Sequence, residues 1–199
     1  MRLGIAHHFG WAVAVTASDD HRVVDRRRIE LIGPDLPPAP VHHVGGPHEL
    51  HRSGPPLDDD ALATLVAQVR ASVQQATALA LDEIAAAVAH PIRSLSLRAW
   101  PDDFPTDIAV VRTAPYESRA DSVMYLQALA DAARERGWMV HTYDAGRVEG
   151  EATHILGPRA ADVLTGPRAT LGPPWTKDHR IALAATVVAG HRAPGVPET

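Results

Sequence analysis

A chain of 199 residues, 45% hydrophobic and 22% charged, has the composition of an ordinary globular protein, long enough to bury one core and short for two. Its net charge of −5 argues against a general polyanion coat, which needs clustered Lys and Arg to neutralise phosphates, but leaves room for a local basic cleft. There is no cysteine, so disulfides, thiolate zinc sites and cysteine nucleophiles are excluded, in keeping with a reducing compartment. No apolar run of about 18 residues is present to span a membrane. Met1-Arg2 leads directly into a short amphipathic strand without an apolar signal region, and cytoplasm is the expected location.

Residues 2–8 and 10–17 predict two apolar strands joined by a tight turn around His7-His8-Phe9-Gly10. A third strand is predicted from about His21 to Ile32. By its period of two, Val24, Arg26, Arg28 and Glu30 share one face, and Val23, Arg27, Ile29 and Leu31 the other. A Pro-rich connection from Gly33 to Pro56 carries His42, His43, His48 and His51; a connection of this length is uncommon in a compact domain. These histidines either fold over the strand ends to complete a site or belong to a polar surface loop.

Asp58-Asp59-Asp60 supplies caps and acidic charge for a long helix running to about His90, where Pro91 ends it. Ile92 to Ala99 predicts a central strand, and a loop containing Asp102, Asp103 and Asp107 leads through Ile108 to Arg112. A helix is expected over 118–136 with Gly137 as its cap, then a strand over 138–143. Residues 147–172 read as irregular or weakly helical. A terminal helix starts at Thr176 or Asp178 and runs to Gly190, and residues 192–199 read as a frayed tail. The order βββ-α-β-α-β-α predicts a single α/β domain over residues 1–199, with no internal repeat.

That order, with the opening Leu3-Gly4-Ile5 and Gly10-Trp11-Ala12-Val13, resembles the ribonuclease H-like superfamily and, within it, RuvC-type Holliday-junction resolvases. The stretch from Ala120-Asp121-Ser122 to Val148 resembles that family's second half. Asp178-His179-Arg180-Ile181-Ala182-Leu183 resembles its final helix. The resemblance implies a mixed sheet of three N-terminal antiparallel strands followed by parallel strands with crossover helices. It also implies four carboxylates holding two divalent metals. At the corresponding positions this chain has Ala6, Arg98, Asp178 and Ile181, so one carboxylate of four remains, and a standard two-metal nuclease is not expected.

The expectation is therefore a divergent member that binds nucleic acid, branched or single-stranded, or a protein partner, with a homodimer possible. The alternative is a metal-dependent phosphodiesterase or nuclease with a rebuilt site. Its candidate catalytic residues are His7, His8, Asp178 and His179, with His7, Asp178 and His179 as ligands for Mg²⁺, Mn²⁺ or Zn²⁺; imidazole suits the transition metals. Equally, His7 and His8 read as turn residues and Asp178 and His179 as helix caps.

Arg98, Trp175 and Lys177 are candidate binding residues. Lys177 lies beside a helix N-terminus that favours anions, while Trp175 also reads as a hydrophobic anchor after Pro173-Pro174. Arg26-Arg27-Arg28 alternates across two faces and predicts a solvated or salt-bridged strand edge. No G-x-G-x-x-G, Walker A or G-x-S-x-G motif is present.

Overall fold

The structure, a computed structural model, describes residues 1–45 and 54–192. Strands β1 (Arg2–His8), β2 (Trp11–Ala17) and β3 (Val23–Glu30) form the antiparallel meander. Phe9-Gly10 closes the first hairpin, and Gly10 takes the positive φ of 82° that this turn requires. A short π-helical turn (Val41–Gly45) precedes α1 (Asp59–Ala87), β4 (Ser94–Arg98) and α2 (Ile108–Val111). These are followed by α3 (Glu117–Glu135), β5 (Met139–Tyr143), α4 (Val148–Leu156), α5 (Ala160–Leu164), α6 (Pro167–Leu171) and α7 (Lys177–His191).

The sheet order is β3-β2-β1-β4-β5, with β4 parallel to β1 and β5 parallel to β4. Three antiparallel strands continued by two parallel ones make the mixed α/β sheet expected from the sequence. Among the described residues no helix is long and apolar enough to cross a membrane.

Alternation along β1 and β2 divides the interior in two. Leu3, Ile5, Ala12 and Ala14 join the cluster beneath α1 and α3, while Ala6, Val13, Val15 and Ala17 join the cluster beneath α7 and α4. Each fully buried Leu or Ile contributes about 1.5–3 kcal/mol. Gly4 allows α7 to rest directly on β1: a Cβ there would stand 1.9 Å from the Ala182 carbonyl oxygen.

Four local expectations are corrected. Val23 and Ile29 lie on opposite faces, not on the same one, because a bulge between Thr16 and Ala17 pairs Thr16 with Asp25 and Ala17 with Val23. Helix α1 ends at Ala87, since Val88 is already extended ahead of the backbone turn into Pro91. Ile108–Val111 is a helical turn capped by Asp107, whose carboxylate accepts from Ala109 N at 2.9 Å. Residues 147–172 are largely helical, because Val148, Ala152 and Leu156, spaced four apart, bury one stripe against α7 despite Gly150. His48, His51 and residues 193–199 lie outside the described residues.

Candidate functional site

The C-terminal ends of β1 and β4, the β1–β2 turn and the start of α7 form one lip of the molecule. Consecutive side chains of a strand face opposite ways, so His7 and His8 part at this lip. His7 turns towards α3, where its Nε2 lies 2.7 Å from Ser122 Oγ. His8 turns towards α7, where its Nε2 lies 3.1 Å from Asp178 Oδ2. Burial, then the Arg98 guanidinium and His8, push the His7 pKa down to about 4, so its imidazole is neutral at physiological pH.

His179 has a different task. Its Nδ1 accepts from the Thr176 backbone N–H at 3.2 Å and stands 2.8 Å from Thr176 Oγ1, forming a capping box at the start of α7. Burial, and secondarily Arg26, lowers its pKa despite the nearby Asp178. The expected set of His7, Asp178 and His179 is thus divided among three local structures. Among the described residues no group of three or more His, Asp or Glu side chains could hold a metal.

The two divalent metals that the resemblance implies do not fit these residues. Such a pair needs several converging oxygen donors. Ala6 and Ile181 are instead buried together in the apolar cluster beneath α7. Arg98 brings a cation to the end of β4, and Asp178 is engaged by His8.

Sequence reasoning missed what the lip does contain. The two-residue turn places His8 opposite Trp11, and their rings stack with centroids 4.1 Å apart and planes 13° from parallel. The Arg28 guanidinium lies 4.1 Å from the centroid of the Trp11 ring. Because β2 runs between β1 and β3, His8 and Arg28 approach the indole from opposite flanks. Arg28 pairs with Glu30 at 2.7 Å, as a salt-bridged edge predicts, and is also part of a cation–aromatic ladder. The signal was available in the spacing: His8 and Trp11 flank a two-residue turn, and Arg28 lies two residues before Glu30, the β3 partner of Trp11.

Arg98, at the end of β4, and Lys177, at the start of α7, are exposed. Trp175 is buried, donates its indole N–H to the Leu164 carbonyl at 2.8 Å and lies beneath Arg26, so it anchors the start of α7 and does not open onto the lip. Of the loop histidines, His42 and His43 sit against Phe9 at centroid distances of 6.4 and 6.1 Å. The segment bearing them hangs on Asp121, whose carboxylate accepts from Val41 N at 3.1 Å and His42 N at 2.9 Å. Burial raises the Asp121 pKa to about 6 against the lowering effect of those two bonds. In the sequence Asp121 and Ser122 were legible only as part of the helix expected over 118–136 and of the stretch carrying the resemblance.

Among solved structures, the chain is similar to T. thermophilus RuvC in complex with Holliday junction substrate, with 13% sequence identity over 95% of this chain and 92% of that chain and a TM-score of 0.48. No family model matches the chain, and no curated protein matches it.

Proposed function

We propose that this chain is a ribonuclease H-like module that binds single-stranded or branched nucleic acid at the β1–β4 lip, without two-metal hydrolysis. The observation that carries this reading is the ladder of Arg28, Trp11 and His8. Its outer planes are an imidazole and a guanidinium, with side chains 42% and 56% exposed. Unstacked bases pack on such planes, and Arg98 and Lys177 supply cations for the backbone. A net charge of −5 confines this attraction to the lip. Duplex DNA, whose bases are already stacked, is the poorer ligand.

A rebuilt hydrolytic metal site has less support, because the side chains it needs face different ways.

The test is fluorescence anisotropy with labelled single-stranded DNA, duplex, four-way junction and RNA, each with EDTA or with Mg²⁺, Mn²⁺ or Zn²⁺. The expected result is binding that persists in EDTA, no cleavage, and a loss of about tenfold or more in Trp11→Ala, in line with about 1–3 kcal/mol per stacked base. Absence of binding to all four ligands overturns the proposal. Metal-dependent cleavage abolished by Asp178→Ala favours the hydrolytic alternative.

A further inference from the structure

Strand pairing sets three side chains in one row at the lip, His8 opposite Trp11 and Trp11 opposite Glu30. Arg28, two residues before Glu30, shares their face of the sheet. The Trp11 indole is thus flanked by two planar groups, the His8 ring from β1 and the Arg28 guanidinium from β3.

The two flanking groups are held differently. His8 is tied to α7, with Asp178 Oδ2 3.1 Å from its Nε2. Arg28 is tied within its own strand, its Nε donating to Glu30 Oε1 at 2.7 Å. The Arg28 and Glu30 side chains are more than half exposed, and an exposed pair of this kind adds little to stability. Arg28 can leave the indole without opening the core.

Trp11 and Glu30 together hold a planar fork of N–H donors, with an aromatic ring against its face and a carboxylate at its edge. Guanine carries the same fork, its N1–H beside the 2-amino group, on a purine that covers more of an indole than a guanidinium does. The other bases lack it. Adenine and cytosine set an amino donor beside a ring-nitrogen acceptor, and thymine and uracil set one N–H between two carbonyls. A carboxylate only accepts, so each of these edges turns a lone pair towards it.

We infer that Trp11 and Glu30 form a guanine-recognition site. The base takes the place of Arg28 on the indole, and its N1–H and 2-amino group donate to the Glu30 carboxylate. Other bases stack outside the ladder; guanine enters it. The displaced Arg28 then faces the phosphate of the same ligand. A guanine in a single strand and a free guanine nucleotide present the same chemistry, and the inference rests on the nucleic-acid reading of the lip only for the first.

The test is NMR titration of the isotope-labelled full chain with guanosine, inosine and adenosine monophosphates, whose phosphates are identical. Anisotropy with labelled oligothymidylate carrying one central guanine or adenine follows. The expected result is saturable shifts at the Trp11 indole N–H and at Glu30, with the adenine nucleotide bound about tenfold more weakly than the guanine one. The inosine nucleotide, which lacks the 2-amino donor, falls between them. Glu30→Gln, an exposed substitution, removes the guanine-over-adenine ratio, and Arg28→Ala retains it because the base replaces Arg28. A ratio that survives Glu30→Gln, or one lost in Arg28→Ala, overturns the inference.

The two proposals fail separately. Strands that bind with no preference for guanine, alongside equal mononucleotide affinities, sink the guanine site and leave the nucleic-acid reading standing. A guanine preference among mononucleotides with no binding to any strand does the reverse, and identifies a free nucleotide as the ligand.

Discussion

His8 and Asp178, 170 positions apart in sequence, meet at 3.1 Å where the end of β1 reaches the first turn of α7. Both side chains are partly exposed, at 42% and 29%, so the pair contributes less than about 1 kcal/mol to stability. Its influence on a polyanion is clearer, because Asp178 places a negative charge on the face that would carry nucleic acid. Asp178→Asn is expected to leave the urea midpoint nearly unchanged and to tighten single-stranded DNA binding by about two- to fivefold at low salt. A hydrolytic role for Asp178 predicts the reverse, with activity lost in the same variant.

Arg98→Ala and Lys177→Ala are expected to weaken binding with little dependence on base sequence. Each cation that contacts a phosphate releases counterions when it binds, so each removal should flatten the slope of log affinity against log salt by about 0.7. Anisotropy titrations at several salt concentrations measure that slope. Trp11→Ala should instead weaken binding with the slope retained.

Acid sensitivity carries two opposing contributions. Folding depresses the pKa of His7 from 6.5 to about 4, so its contribution to stability is full above about pH 6.5 and is lost as pH falls towards 4. Folding raises the pKa of Asp121 from 3.8 to about 6, so its contribution is full below about pH 3.8 and is lost as pH rises through 6. Each amounts to roughly 3 kcal/mol, and they largely cancel between about pH 6 and 4. Relative to the parent chain, His7→Gln should therefore lose less stability on acidification, and Asp121→Asn more. Urea unfolding at about pH 7 and pH 4.5 reads both differences.

Arg112 fastens the two ends of the His-bearing connection. Its Nη2 donates to the Gly45 carbonyl at 3.0 Å and the Leu57 carbonyl at 2.6 Å, and its Nη1 pairs with Asp59. The side chain is only 17% exposed. Arg112→Lys keeps the charge but cannot reach both carbonyls with a planar fork. A loss of about 1–3 kcal/mol is expected in chemical denaturation, and Arg112→Ala should lose at least as much.

Gly4 provides the sharpest packing test. An alanine Cβ at this position would meet the Ala182 carbonyl oxygen at 1.9 Å, and backbone on both sides limits relief. Gly4→Ala should destabilise by about 3 kcal/mol or more. Gly150→Ala, where a Cβ meets nothing within 4 Å, should be neutral or stabilising by up to about 1 kcal/mol. Thermal unfolding of the two variants compares them directly.

The strands, the long helices and their order were legible in the sequence, because apolar periodicity reports which face of each segment avoids water. So were Ala6, Arg98 and Ile181 at positions where the resemblance implies carboxylates. The β3 faces were not legible below Asp25, because a bulge adds one residue and inverts the alternation beyond it. Helicity of 148–171 was hidden for a related reason: its stripe of Val148, Ala152 and Leu156 becomes favourable only once α7 is present to cover it.

At the candidate site, local sequence named His7, His8, Asp178 and His179 but could not assign their partners. Alternation sends His7 to Ser122 and His8 to Asp178, while His179 closes its own helix cap. The sequence by itself determined the element order and which residues stand at the strand and helix ends, since these depend on local periodicity and residue identity. Only the tertiary structure decided which side chains meet: the Trp11 ladder and the Asp121 tether join residues from separate elements, and their distances follow from how the strands pair and how α3 settles on the sheet.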